Sequence, residues 1–286
     1  MLVLNCTPHK PSFFILKGIP GLEAAHLWIS VPWTAFYMMT IIANSVVLYI
    51  IKTEASLHQP MYIFLSMLSG TDIALPTCVI PKTLSAFWFG SKEIYFEACL
   101  IQMYFAHSLM VVESGILTSM AFDRYMAVCN PLRYTSILTN ALLGKLAFLV
   151  VLRSILYVVP FPFLLKRLPF CNSNVIAHTY CEHMSVAKLA CADITVNAVY
   201  GMTIAFSVVF LDLMCISLSY ALILRAVVGL SSKEARAKAF STCTAHICVI
   251  AVFYTPFLFT VILQRVGHKV SPSAHIIVAN LYFHLS

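Results

Sequence analysis

The sequence predicts an all-α membrane protein, a bundle of seven transmembrane helices of which the seventh is truncated. Three observations predict it. Of 286 residues, 60% are hydrophobic and only 10% are charged, against about 45–50% and about 25% in soluble domains, and mean hydropathy is +0.89. The apolar residues come in runs long enough to cross about 30 Å of hydrocarbon, which takes about 20 helical residues. Backbone amides in lipid must bond within their own segment, so the runs read as helices.

Taken in order, residues 1–26 read as an extracellular tail without the basic start and apolar stretch of a cleavable signal. The first span, about 27–51, carries no charge and serves as the insertion signal. Spans at about 61–85 and 98–122 each hold one acid, Asp72 and Glu113. The span at about 145–165 opens on Lys145 and holds a single base, Arg153, in its apolar run Leu146–Leu165, and the one at about 194–224 a single acid, Asp212. The sixth, about 239–263, has no Asp, Glu, Lys or Arg, and the seventh, 271–286, has 16 residues. At 1.5 Å per residue that last helix reaches roughly 24 Å, short of a full crossing. Pro32, Pro76, Pro160, Pro162 and Pro256 fall inside spans, where lipid-embedded helices tolerate kinks. Residues 27–286 therefore form one bundle, with a single long connection from about Lys166 to Asp193.

The net charge of +7 does not point to nucleic acid, because the basic residues are scattered and form no stripe. Basic residues divide eight to nine between the two sides of the bundle, so the positive-inside rule leaves orientation open. Two other features orient it. Asn5-Cys6-Thr7 is a glycosylation acceptor at Asn5, usable only on the lumenal side. Cys99, Cys171, Cys181 and Cys191 all fall on the N-terminal side, where disulfides persist. The N-terminus is expected outside the plasma membrane, and the three loop cysteines suggest a stapled lid.

Ionisable groups inside a membrane are functional candidates. Asp72 lies 12 residues after Pro60, and Glu113 lies 11 before Arg124, so both sit near the midplane at about 16–18 Å depth. Either they share a cation, such as an interior sodium ion, or each bonds to hydroxyl, amide or water, with Asn44 a candidate partner. No partner is evident for Arg153 or Asp212. His178, Glu182 and His183 carry metal-ligand atoms, but their spacing does not bring them to one point, and no metal site is expected.

Residues 120–134 read MAFDRYMAVCNPLRY, with Asp123-Arg124-Tyr125 at the cytoplasmic end of the third span. Together with Pro60-Met61-Tyr62, Ser219-Tyr220 and KAFSTCTAH from Lys238 to His246, this string resembles the rhodopsin-type G-protein-coupled receptors, specifically olfactory receptors. The loop from Phe170 to Cys191 and GIPGLE from Gly18 to Glu23 resemble the fish-like class I subgroup. The resemblance runs from about residue 11 to the end.

The resemblance implies disulfides Cys99–Cys181 and Cys171–Cys191. It implies that Arg124 is held at rest by Asp123 and released toward a heterotrimeric G protein, with Tyr125, Tyr220, Arg236 and Lys238 lining the same cleft. His246 either joins that network or is a packed core histidine. It implies a small, carboxylic-acid-type odorant as ligand. Arg265, near the outer end of the sixth span, resembles the family's acid anchor, since guanidinium binds carboxylate bidentately; the alternative is an arginine snorkelling to the headgroups. His107 is either a second donor or a plain bundle hydrogen bond, while Met103, Tyr104, Phe206, Phe257 and Val261 are placed to pack an alkyl tail. Signalling would run through a stimulatory G protein and cAMP, with no enzymatic activity and no cofactor beyond that ion. The family continues its seventh span with P-x-x-N-P-I-x-Y, and this chain stops where that stretch should begin. Ala43 also stands where the family usually has Gly. The alternative is therefore a truncated, non-signalling receptor fragment or pseudogene product retained in the endoplasmic reticulum.

Overall fold

The computed structural model describes residues 11–171, 173–229, 232–266 and 272–285, with the side chains at 235, 238–239, 242, 260–266, 272–273, 275, 282 and 284–285 outside the description. Ten α-helices are described: α1 His26–Thr53, α2 Pro60–Phe89, α3 Phe96–Cys129, α4 Tyr134–Ile137, α5 Asn140–Val158, α6 Pro160–Lys166, α7 His183–Ala187, α8 Thr195–Val228, α9 Lys233–Val266 and α10 Pro272–Leu285. By length and composition α1, α2, α3, α8 and the joined α5–α6 can cross a membrane, and α9 contains the apolar stretch Cys243–Phe259.

Local chemistry sets the ends. Pro60 opens α2 at the position where its missing N–H costs nothing, and Gly90 closes it with φ of 67°, a left-handed conformation that favours glycine. Thr139 caps α5 by accepting the Leu142 N–H. Pro160 opens α6 directly after α5, so the fourth span is two helices rather than one.

α3 is the axis of the bundle, packed against α2, α5 and α8. Its core runs from Leu75 and Ile80 on α2 through Leu117 and Met120 to Ile216 and Ile223 on α8. Gly115 lets α5 come close: a Cβ there would meet the Val150 methyls at 2.8 and 2.9 Å. The large apolar residues on the opposite faces, including Trp28, Phe148, Phe163 and Phe210, are exposed. An apolar outer surface around a packed interior is what a lipid solvent requires.

Part of the N-terminal segment, expected as an extracellular tail, is built into a sheet. Phe13–Leu16 forms β1, the central strand of a small sheet, antiparallel to β2 (Glu93–Tyr95) and parallel to β3 (Val175–Ile176). Phe14 and Leu16 are buried against Phe96 and Phe170. All four residues of the strand are apolar, and only their burial alternates, deepest at 14 and 16, so the sequence itself carries no two-residue pattern to mark it. Gly18, with φ of 82°, lets the chain turn against His26, whose ring bonds to the backbone of Ile19. Asn5 lies outside the described residues.

Candidate functional site: a lidded cavity and two polar clusters

The loop after α6 is drawn over the bundle by the disulfide Cys99–Cys181, which ties it to α3, and is closed on itself by Cys171–Cys191. Three polar ties hold it down. The Cys181 N–H donates to Gln102 on α3 (3.0 Å), Thr83 on α2 donates to the Thr179 carbonyl (3.1 Å), and the Thr179 hydroxyl bonds Asn280 on α10 (2.9 Å). Within the loop Glu182 caps α7, its two oxygens accepting the N–H groups of Met184 (3.0 Å) and Ser185 (2.6 Å). Burial opposes the Glu182 charge, but those N–H groups and the neighbouring His178 and His183 hold the carboxyl down to about 2. Burial in turn pushes His183 down to about 4.

Beneath this lid is a cavity of about 240 Å³. Tyr180, Glu182, His183 and Lys188 form its roof; His107 and Ser114 on α3, Phe161 on α6, Gly201 and Ala205 on α8, and Tyr254 and Phe257 on α9 form its walls and floor. A cavity of about 150 Å³ holds benzene, so this one suits a ligand somewhat larger. Most of the lining is apolar, with polar groups gathered at the roof and the floor, the arrangement expected of a small-molecule site.

The floor rests on a buried ion pair. Arg153 on α5 donates to both oxygens of Asp212 on α8 (2.6 and 3.1 Å), to the Ser114 hydroxyl (2.9 Å) and to the Val111 carbonyl (3.1 Å). Tyr254 on α9 reaches the same carboxylate at 3.5 Å. Four helices thus meet on one charge pair directly below the cavity. The sequence signal was present: one base alone in the fourth apolar run and one acid alone in the fifth are affordable only if they neutralise each other.

The other end of α3 carries a second cluster. Arg124 Nε and one guanidinium nitrogen donate to one oxygen of buried Asp123 (3.0 and 2.6 Å), and the Tyr134 hydroxyl donates to the other (2.7 Å). Tyr134 is the last residue of the string MAFDRYMAVCNPLRY, so its end folds back onto its beginning. Nearby, the Tyr220 hydroxyl and His246 Nδ1 are 2.6 Å apart, joining α8 to α9. Tyr125 packs against the bundle core, and the Lys238 side chain is outside the described residues.

Between the clusters, the carboxyl of Asp72 on α2 faces that of Glu113 on α3, and Glu113 is fully buried. Asn44 does not join them; its amide donates to the Thr40 carbonyl one turn back in α1 (3.1 Å).

Of the residues expected around the ligand, His107, the candidate second donor, and Phe257, placed for the alkyl tail, line the cavity. Three do not. Met103 is fully buried in the core beside it, where its carbonyl accepts a bond from His107 (2.9 Å). Tyr104 packs into that core edge-on to Phe105 (5.4 Å), and Phe206 points outward from α8, 51% exposed on the lipid-facing side. Helical rotation is the reason: Ala205 and Val208 take the inward face of α8, and residue 206 is turned away from it. Val261 and Arg265 fall within α9, with side chains outside the description. Among the described residues no three of His, Cys, Asp or Glu gather to hold a metal ion.

A membrane-spanning bundle with a disulfide-held lid over a cavity, and an arginine lock at the opposite end of its axial helix, defines a rhodopsin-type G-protein-coupled receptor. Comparison with known proteins narrows this. A family model described as "Olfactory receptor" matches residues 33–286. Human olfactory receptor 52N4 is 52% identical over 283 residues, covering 99% of this chain and 88% of the relative. Human olfactory receptor 52N5 is 53% identical over 274 residues, 95% and 85%, and human olfactory receptor 52B2 is 49% identical over 278 residues, 97% and 86%. The chain belongs to the olfactory receptor family: it is a multi-pass, odorant-sensing receptor and not an enzyme.

Proposed function

We propose that this receptor lies in the plasma membrane with its N-terminus and lid outside, binds a small carboxylic-acid-type odorant in the lidded cavity, and activates a stimulatory G protein that raises cAMP. The observation that carries the reading is the direct seating of the cavity on the Arg153–Asp212–Tyr254 cluster. A ligand that settles against Tyr254 bears on α9 through a charge pair that also holds α3, α5 and α8. Such a pair has discrete arrangements rather than a continuous range, which lets small contacts shift a two-state equilibrium. The far end of that equilibrium is the Asp123–Arg124–Tyr134 lock and the Tyr220–His246 bond, both of which must yield for a G protein to enter.

The carboxylate has two candidate counter-charges. Arg265 corresponds to the family's acid anchor, and Lys188 lines the cavity at its rim. Phe257 and the small residues Gly201 and Ala205 leave room for an alkyl chain. The Asp72–Glu113 pair is suited to hold a sodium ion or a shared proton, which would relieve the repulsion of two acids in contact. Placing both disulfides outside agrees with an oxidising compartment, and glycosylation at Asn5 belongs to the same side.

The test is expression of the full chain with an N-terminal tag, reading surface labelling of unpermeabilised cells and cAMP across short fatty acids. Surface display with a saturable acid response that is lost in Arg265→Ala or Lys188→Ala supports the reading. A cAMP response indifferent to both substitutions removes the acid anchor, and a chain found only in the endoplasmic reticulum removes the plasma-membrane assignment.

A further inference from the structure

The chemistry that His107 presents to the cavity follows from where its other nitrogen is spent. His107 Nδ1 lies 2.9 Å from the Met103 carbonyl oxygen one turn earlier on α3. A carbonyl only accepts, so Nδ1 carries the hydrogen, and in the neutral ring Nε2 is left as a bare acceptor. Phe161 fixes the ring from the side (5.5 Å between centroids), and the ring lines the cavity wall.

The second polar group at this level has the same polarity. Glu182 lines the roof with a carboxylate that its two N–H partners keep ionised, and a carboxylate is an acceptor only. His183, the third, differs: its Nε2 accepts from the Asn197 amide at 3.3 Å, so in the neutral ring its Nδ1, on the Gly201 side, carries the hydrogen; Phe161 packs edge-on to it (4.6 Å). The cavity therefore offers acceptors at His107 and Glu182, with His183 and the charged Lys188 as donors.

We infer that His107 meets the ligand as a hydrogen-bond acceptor, so that the cavity selects aliphatic ligands bearing a donating hydroxyl, alone or on the chain of an acid, over equivalents whose oxygen can only accept. The inference rests on the cavity being the odorant site. A ligand hydroxyl donates to Nε2 while its alkyl chain lies along Phe257 and Ala205. An ether of the same length leaves Nε2 unsatisfied in a desolvated wall, and this penalty sets the selectivity.

The experiment uses the full chain purified in detergent micelles and reads ligand-induced shifts in thermal midpoint, which report binding whether or not the receptor signals. The probes are a straight-chain alcohol, its methyl ether, a fatty acid and the hydroxylated fatty acid of matched length. Wild type should bind the alcohol about fivefold or more tightly than the ether, and the hydroxy acid more tightly than the plain acid by a similar factor, the size of one net hydrogen bond. His107→Gln keeps an acceptor and should keep the preference. His107→Lys offers only donors and should lose it while gaining on the plain acid.

Equal binding of alcohol and ether by wild type, binding of neither, or a preference that survives in His107→Lys would each overturn the inference. Gly201→Trp separates this from the reading beneath it, because Gly201 lines the cavity with Phe161 and His183 at 3.6 and 3.7 Å from a Cβ placed there. If the midpoint shifts persist in a properly folded Gly201→Trp chain, the cavity is not the odorant site and both readings fall. If they vanish but wild type shows no hydroxyl preference, only the role of His107 falls.

Discussion

Arg153 on α5 clasps Asp212 on α8 at 2.6 and 3.1 Å, with the Asp212 side chain 3% exposed and Arg153 23% exposed. Removing one partner strands a buried charge, at a cost of about 3–5 kcal/mol. Arg153→Met and Asp212→Asn should each lower the thermal midpoint sharply and reduce surface display. The double variant Arg153→Met, Asp212→Leu should recover much of the stability, because no charge is left unpaired, yet fail to restore odorant-driven cAMP. Recovery of signalling in the double variant would show that the pair is structural only.

Gly115 tests the same junction from the α3 side. A Cβ there would fall 2.8 Å from Val150 and 3.2 Å from the Arg153 guanidinium. Gly115→Ala should cost about 1–3 kcal/mol through overpacking. Combining it with Val150→Ala should return most of the loss, measured as thermal midpoints of the two variants.

Tyr134 holds the second oxygen of Asp123 while Arg124 holds the first. Tyr134→Phe removes one hydrogen bond to a charged group, about 1.5–3 kcal/mol. On the proposed coupling, that loss weakens the locked state, so basal cAMP without odorant should rise several-fold or more at equal surface density. Unchanged basal cAMP would mean that the Asp123–Arg124 pair alone sets the resting state.

Glu182 and His183 make the lid sensitive to acid in two adjoining windows. His183 sits at about 4 when folded against 6.5 when free, because burial disfavours its charge. Glu182 sits at about 2 against 4.5, held down by its N–H partners and the adjacent histidines against the pull of burial. Both folded values are depressed, so the unfolded chain takes up protons first and stability falls as pH falls. The His183 contribution is whole above about 6.5 and is lost toward about 4; that of Glu182 is whole above about 4.5 and is lost toward about 2. Thermal midpoints of the purified chain should fall in both windows. His183→Asn should flatten the upper one, and Glu182→Gln the lower one while also lowering the midpoint at neutral pH.

Much of the bundle was legible beforehand because lipid leaves the backbone one solution. Uncharged runs such as Leu27–Ile51 could only be helices, and the observed helices extend the apolar runs by up to about two turns at their ends, as α3 does from 122 to Cys129. The strand Phe13–Leu16 was not legible, since it is built from partners 80 and 160 residues away that no local pattern announces. At the site, His107 and Phe257 turn into the cavity and Phe206 turns away from it, a difference of rotation about the helix axis that position along a span does not announce.

By itself, the sequence determined that this chain crosses a membrane as a helical bundle and, through motifs such as Asp123-Arg124-Tyr125, which family it resembles. Both rest on local chemistry: apolar length in the first case, contiguous residue identity in the second. Only the tertiary structure decided that Arg153 belongs to Asp212, that Tyr134 closes on Asp123, and that His107 spends its proton on Met103 and turns an acceptor to the cavity. Those are questions of azimuth and of which helices adjoin. They are settled by side-chain packing and charge neutralisation across the bundle, which no single span encodes.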